Sequence, residues 1–300
     1  MVTNSTRIAV VYAKSMIDSH CHLDIAAFEI DRAEVLARAH AAGVIGMLVP
    51  AIRPATWAKL GVLAGQFIAA GWRTAYGIHP QIVPALEIGE HALAASVPAL
   101  CDALINADHA AQQLGAAPMV AVGECGLDGA TAMFELQEQL FRLQLRAARE
   151  LNLPVVVHVL RAHHRAPAIM REERVADVGG IMHSYSGGPE LVPVYRDLGM
   201  AFSFAGPVTF PGSRRPRGAA AVVPLDLLLV ETDAPDQAPT PHRGKRSEPA
   251  HVVHTLAAIA AARNVDATQL AAITVANTHR CLPGWNARRP RNSANPAANG

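Results

Sequence analysis

Eight short apolar runs, each leading into a longer stretch with helical spacing, restrict what this chain can fold into more than any other feature. They lie at residues 16–17, 44–49, 73–77, 119–123, 155–157, 180–182, 200–204 and 227–230. Strands that alternate with helices imply βα units and a parallel sheet. Eight of them fit a closed barrel, so the expected fold class is α/β, a TIM-like (β/α)8 barrel. An open doubly wound sheet is the competing arrangement, and periodicity leaves it open.

The stretches between the runs carry helix signals. Within 131–151, Leu136, Leu140, Leu143, Ala147 and Leu151 recur every three or four residues and form one apolar stripe, which Pro154 terminates. Asp31 followed by Glu34 resembles a capping box that opens a helix to about Ala42, with Gly43 at the C-terminal glycine position. After Ser247-Glu248-Pro249, residues Val252, Leu256 and Ile259 mark another amphipathic helix. The Gly- and Pro-rich segment from Gly206 to Gly218 reads as a flap that shapes a mouth. No internal repeat or linker interrupts the pattern, so 16–287 is expected to be one barrel domain, within the size such barrels take. Residues 1–15 read as an extension or an alternative start, and 288–300 as a disordered tail.

Composition excludes several classes. A hydrophobic content of 51% with 17% charged residues belongs to a globular protein. A formal net charge of +1 gives no general footprint for duplex nucleic acid, and 5% aromatics argue against a long base-stacking platform. Cys21, Cys101, Cys125 and Cys281 are scattered, with no C-x-x-C, which fits reduced thiols and a cytoplasmic location. No apolar run reaches the roughly 18 residues of a membrane span. No protein partner is implied.

The chemistry is carried by where the metal-binding residue types fall. His20 and His22 follow the first run, Glu124 the fourth, His158 the fifth, His183 the sixth and Asp233 the eighth. In a parallel α/β barrel these positions share one face, the C-terminal mouth. His20 and His22 are two residues apart, so an extended backbone points both imidazoles the same way. Each residue alone is weak, because this chain has 14 histidines; all six ligand-type residues at strand ends is far harder to reach by chance. Four histidines and two carboxylates suit zinc, manganese, iron or nickel, with magnesium where carboxylates and water dominate. Six protein ligands exceed what one catalytic ion needs, so two divalent ions (Mg, Mn or Zn) sharing Glu124 fit better.

With those residues in view, the chain resembles the TatD family of metal-dependent hydrolases within the amidohydrolase-like barrels. The resemblance rests on Ile17-Asp-Ser-His-Cys-His-Leu-Asp24, Gly77-Ile-His-Pro80, Gly123-Glu-Cys-Gly-Leu-Asp128, Pro154-Val-Val-Val-His158, His183-Ser-Tyr-Ser-Gly187, Glu231-Thr-Asp-Ala-Pro235, Arg243-Gly-Lys-Arg-Ser-Glu-Pro249 and the Asn277-Thr278 pair. It implies a barrel, two divalent ions and hydrolase activity, often that of a magnesium-dependent deoxyribonuclease. It also implies that Glu124 bridges the ions, with His20, His22 and Asp233 on one and His158 and His183 on the other. Two departures concern the substrate. Leu160 stands where most members carry Arg, with Arg161 and His163 following as in a less characterised branch, and Gly129-Ala130 replace the usual aromatic or basic residues.

The expected activity is divalent-metal-dependent cleavage of phosphodiester bonds through an activated water. Glu124 and Asp233 are the expected catalytic groups, Asp233 as the base that accepts the water's proton. His79 is expected at the mouth, either on a phosphate oxygen or steadying a ligand. Arg161, Arg243 and Lys245 are candidate phosphate contacts, whereas Arg214, Arg215 and Arg217 read as solvated surface and Arg246 as the partner of an internal carboxylate. Single-stranded DNA ends or small phosphodiesters suit such a mouth. Hydrolysis of an amide, lactone or carboxylic ester is the alternative, and a non-catalytic binding protein a weaker one.

Overall fold

The protein is described by a computed structural model over residues 15–286. The expected tail, and the expected extension apart from Ser15, lie outside these residues. The strands are β1 (Met16–Asp18), β2 (Val44–Ala51), β3 (Trp72–Tyr76), β4 (Ala121–Asp128), β5 (Val155–Leu160), β6 (Gly180–Met182), β7 (Met200–Phe204) and β8 (Leu228–Val230). They form one parallel sheet in sequence order, β1 through β8. The edges of the first and last strands are joined just beyond them: Ser19 N–H donates to Val230 O (3.1 Å) and Asp233 N–H to His20 O (2.9 Å). The arrangement is the expected barrel, and the open doubly wound sheet is excluded.

One buried cluster explains why the sheet curls. It contains one residue from each strand: Ile17, Leu48, Ala75, Ala121, Val156, Ile181, Ala201 and Leu229. A mutually packed set drawn from all eight strands fills the inside of the barrel, as interior layers do in this architecture. Leu282 and Trp285 join the same cluster. Arg73 donates to Trp285 O (2.7 Å) from the start of β3, so this pair closes the bottom of the barrel. A larger cluster lies between the sheet and the helices.

The described helices are α1 (Arg32–Ala41), α2 (Trp57–Gln66), α3 (Ile88–Leu93), α4 (Val97–Gln113), α5 (Phe134–Glu150), α6 (Ala166–Glu172), α7 (Val192–Arg196), α8 (Arg214–Val222), α9 (Val252–Arg263) and α10 (Ala267–Cys281). Three sequence expectations are corrected. Asp31 does not cap α1 with its side chain; both of its oxygens are taken by Arg246 (2.8 and 2.6 Å). A bidentate ion pair outcompetes a single backbone N–H for the same carboxylate. The segment from Gly206 is not a flap, because it forms a 3-10 turn with buried Gly206 and Val208 and then continues into α8. Finally, α5 buries Gln137 and Gln144 beside Leu140, Phe141 and Leu145, whereas Leu136, Leu143 and Leu151 are only half-buried. The two glutamines are turned inward because they have backbone to satisfy: Gln144 brackets Ile78 (2.7 Å from its N–H, 3.1 Å to its O), and Gln137 accepts from Asp128 N–H (2.8 Å).

Candidate metal centre

The central carboxylate is built by an irregularity in β4. Val122 pairs with Val155 and Cys125 with Val157, so three steps on β4 face two on β5 and Glu124 sits in a bulge. Gly123 makes the bulge possible: its φ is +139°, and a Cβ there would lie 2.5 Å from Val156 O. Glu124 and His158 therefore lie within their strands rather than after them, a small correction to the sequence view. His20, His22, His183 and Asp233 follow β1, β6 and β8 as expected.

The two oxygens of Glu124 face different partners. Its Oε2 lies 3.1 Å from His20 Nε2 and 3.5 Å from His22 Nε2. Asp233 Oδ1 completes that side, 3.8 and 3.7 Å from the same two nitrogens. On the other side, Oε1 lies 2.8 Å from His183 Nε2 and 3.2 Å from His158 Nδ1. All of these groups except His22 and His158 are fully buried or nearly so.

These contacts cannot all be hydrogen bonds. His20 Nε2 and His22 Nε2 are 3.2 Å apart, and His158 Nδ1 and His183 Nε2 3.1 Å apart, each pair converging on a carboxylate oxygen. Lone pairs gathered at such distances repel unless protons or a cation stand between them. Glu124 Oε2 is moreover buried without a hydrogen-bond partner. Three donor trios have ligand atoms within 4.8 Å of one another: His20, His183 and Asp233; His20, His22 and Glu124; His79, Glu124 and His158. Nitrogen and carboxylate donors in this number fit divalent transition ions or magnesium.

Electrostatics agrees. Burial by itself would raise the pKa of Glu124, but the charges of His183, His79 and His20 and the His158 contact outweigh it and hold the carboxylate well below its usual range. Burial would lower His183, yet Glu124 and Glu231 overcome this and raise it well above the ordinary histidine value. A cation would occupy the lone pair that such a proton takes, so cation binding and loss of that proton go together.

His79 lines the mouth cavity, as expected, and falls beside Glu124. Its Nδ1 accepts from Gln81 N–H (3.1 Å), so the ring proton sits on Nε2, which donates to Glu124 Oε1 (2.9 Å). Burial pushes this imidazole down to about 4, in keeping with a neutral donor. That geometry favours the role of steadying a ligand over contact with substrate.

Several supporting residues were not singled out from sequence. Gln237 Nε2 donates to Asp233 Oδ2, and its Oε1 accepts from Ser184 Oγ (2.8 Å). A carboxylate can only accept, which fixes the orientation of this amide. Ser184 N–H in turn donates to Glu231 Oε1 (2.6 Å), which lies 3.3 Å from His183 Nδ1. Asp128 is held well below the usual carboxylate range by His158, whose Nε2 is 3.5 Å away, and by Gln81. Asp18, pushed up to about 8 by burial, accepts from the Thr232 hydroxyl (2.5 Å) and N–H (3.0 Å). Glu231 and Asp128 carried a signal, since both lie in motifs quoted for the family; Gln237 carried none.

The basic candidates end up apart from this centre. Arg161 and Lys245 are exposed, and Arg243 lies over the Phe210 ring at 4.4 Å. None of the three lines the cavity over the carboxylates. Arg214, Arg215 and Arg217 are exposed on α8, and Arg246 pairs with Asp31 and Glu248 as anticipated.

Comparison with known proteins reaches the same place. Residues 17–283 match the family model described as TatD related DNase. An uncharacterized metal-dependent hydrolase of Bacillus subtilis, YabD, is 33% identical over 271 residues, 88% of this chain and 98% of that protein. A protein of Shigella flexneri named 3'-5' ssDNA/RNA exonuclease TatD is 35% identical over 273 residues, 87% of this chain and 96% of its own length. The crystal structure of YjjV, a TatD homologue from Escherichia coli, superposes with a TM-score of 0.79 at 29% identity, covering 89% of this chain and 98% of that one.

Proposed function

The chain belongs to the TatD-related DNase family, and from that membership we propose that it is a divalent-metal-dependent hydrolase cleaving phosphodiester bonds. The observation that carries the proposal is the division of labour at Glu124, whose two oxygens face two separate sets of donors. His20, His22 and Asp233 would hold one ion, His158 and His183 a second, and Glu124 would be shared. Divalent ions held there supply Lewis-acid charge to phosphoryl oxygens and acidify water.

The chain's own groups do the rest. Asp233 accepts the proton of the attacking water as its oxygen bonds to phosphorus and the ester P–O bond breaks; that proton is then available to the departing alkoxide. Gln237 keeps Asp233 Oδ2 engaged, so that Oδ1 faces His20 and His22. His79 donates to Glu124 and holds its rotamer. Chain ends of single-stranded DNA, or small phosphodiesters, are the proposed substrates; the exonuclease name of the Shigella relative supports this class. Arg161, Arg243 and Lys245 remain candidate contacts for a longer strand leaving the cavity. No described helix is long and apolar enough to cross a membrane, and all four cysteines are free, which supports a reducing, cytoplasmic setting.

The test is purification without chelator, metal analysis by mass spectrometry, and cleavage of end-labelled single-stranded DNA with Mg²⁺ or Mn²⁺. Near two ions per chain and cleavage abolished in Glu124→Ala is the expected result. Bound metal without cleavage of any phosphodiester would redirect the assignment to carboxylic esters, lactones or amides. Failure to take up metal after reconstitution would overturn it.

A further inference from the structure

The cavity above the carboxylates, about 280 Å³, has an unexpected wall. Ile25, Ile52, Ile82, Leu160 and Pro235 all line it, and each is half-buried. They come from five different places around the barrel: after β1, after β2, after β3, the last residue of β5, and after β8. Aliphatic side chains left half in water by five separate segments, and converging on one hollow, make a binding surface and not a core.

Its charge pattern is equally specific. No lysine or arginine lines the cavity among the described residues. Of the nearby cations, Arg53, next to Ile52, is held by Glu90 (2.8 and 2.7 Å) and Arg246 by Asp31 (2.8 and 2.6 Å), while Arg161, next to Leu160, is exposed outside the lining. A terminal phosphate dianion would bring a second negative charge toward Asp233 and Asp236 with no lysine or arginine in the lining to meet it. A phosphodiester carries one negative charge, and its uncharged ester group can lie on the aliphatic wall.

We propose that Ile25, Ile52, Ile82, Leu160 and Pro235 form an apolar subsite that accepts the uncharged alkyl, aryl or base-bearing ester group of a monoanionic phosphodiester. Leu160 is its specificity-determining residue, because it lines the cavity together with His158, two residues earlier on the same strand. The assignment rests on the phosphodiesterase reading for the identity of the anion, but the wall can be read out without turnover.

The probe is a series of non-hydrolysable monoanions, the methyl, butyl and phenyl esters of methylphosphonic acid, titrated into the metal-loaded protein by calorimetry. Affinity should rise about twofold to fourfold per added methylene from methyl to butyl. Leu160→Arg should flatten the series and tighten inorganic phosphate. Ile82→Ser, on the turn after β3, should weaken the butyl and phenyl esters while sparing the methyl ester. A flat series in the wild type overturns the subsite, as does a series that neither variant changes. A second arm compares release of a terminal nucleotide from single-stranded DNA ending in thymidine or in an abasic unit. Cleavage about tenfold slower at the abasic end identifies the occupant as a base; equal rates with the phenyl preference retained identify a small aryl or alkyl diester. Graded binding with no cleavage of any phosphodiester would sink the phosphodiesterase reading and leave the apolar subsite standing.

Discussion

Asp233 has a φ of +53°, a left-handed conformation that a non-glycine residue adopts at some cost. It is held there by its own N–H on His20 O (2.9 Å), by Asp236 N–H on its carbonyl (2.9 Å), and by the Gln237 amide on its carboxylate. Two backbone bonds and one on the carboxylate fix the residue with its Oδ1 toward His20 and His22. Replacing Asp233 by Asn keeps the shape and removes the base, so turnover should fall by roughly 10²–10⁴-fold while bound metal stays largely in place. Steady-state kinetics with metal analysis of the same preparation checks this, and full activity would refute the role. Gln237→Ala should lower kcat about tenfold with KM little changed, because an unheld carboxylate samples unproductive rotamers. Gln237→Glu, which sets a like charge against Asp233, should not rescue it. Both Asp233 and Glu124 were legible from their place after apolar runs. Gln237 was not, because a glutamine one turn past a motif looks like any surface glutamine until the fold brings Ser184 and Asp233 to its two ends.

At the scale of elements, the strands were read well and their ends less well. A run of β-branched and aliphatic residues announces β2 or β5, but it cannot say that β4 continues through Glu124 to Asp128. That extension depends on a bulge, and the bulge on Gly123 being able to approach Val156 O. The helix α5 shows the same limit. Its apolar spacing was legible, yet the residues it buries include Gln137 and Gln144, since the loops after β3 and β4 have backbone groups that only a polar side chain can satisfy. Gln144→Leu would leave the N–H and C=O of Ile78 unpaired in the interior. The expected cost is about 1–3 kcal/mol, measurable by urea unfolding. Because Ile78 adjoins His79, whose imidazole steadies Glu124, activity should fall as well.

The whole molecule adds a response to pH that no single element carries. Burial pushes His163 down to about 4; it also pushes His251 down to about 4, helped there by His242, whose ring stacks on it at 3.9 Å. Such groups bind protons more readily in the unfolded chain, where the value is near 6.5. Between about pH 6.5 and 4 these two histidines therefore favour the unfolded state as pH falls, against Asp18, whose raised value favours the folded state over the same window. Thermal melting of the metal-free protein and of His251→Gln from pH 8 to 4.5 should show the variant losing less stability as pH falls; identical slopes would refute the assignment. Metal acts in the opposite direction. Removing it leaves converging lone pairs unneutralised around Glu124, so chelation should lower Tm and added Mn²⁺ restore it. At a hundredfold excess over Kd the difference is about 2.7 kcal/mol.

The sequence by itself determined the alternation of eight strands with helices and placed six candidate ligands at strand ends, while the choice between a barrel and an open sheet fell to the structure. The first two follow from local chemistry: apolar runs make strands, and residues at their C-terminal ends share one face whatever the loops do. Only the tertiary structure decided how Glu124 divides its oxygens, which way the His79 ring is protonated, that Gln237 holds Asp233, and that the mouth is walled by isoleucine and leucine while its arginines turn elsewhere. Those outcomes depend on which side chains from different loops meet, and on competition among hydrogen bonds and ion pairs that no local pattern encodes. Arg243 and Lys245 follow β8 in sequence, as a phosphate-binding pair would, but the path of that loop sends one over Phe210 and the other into solvent.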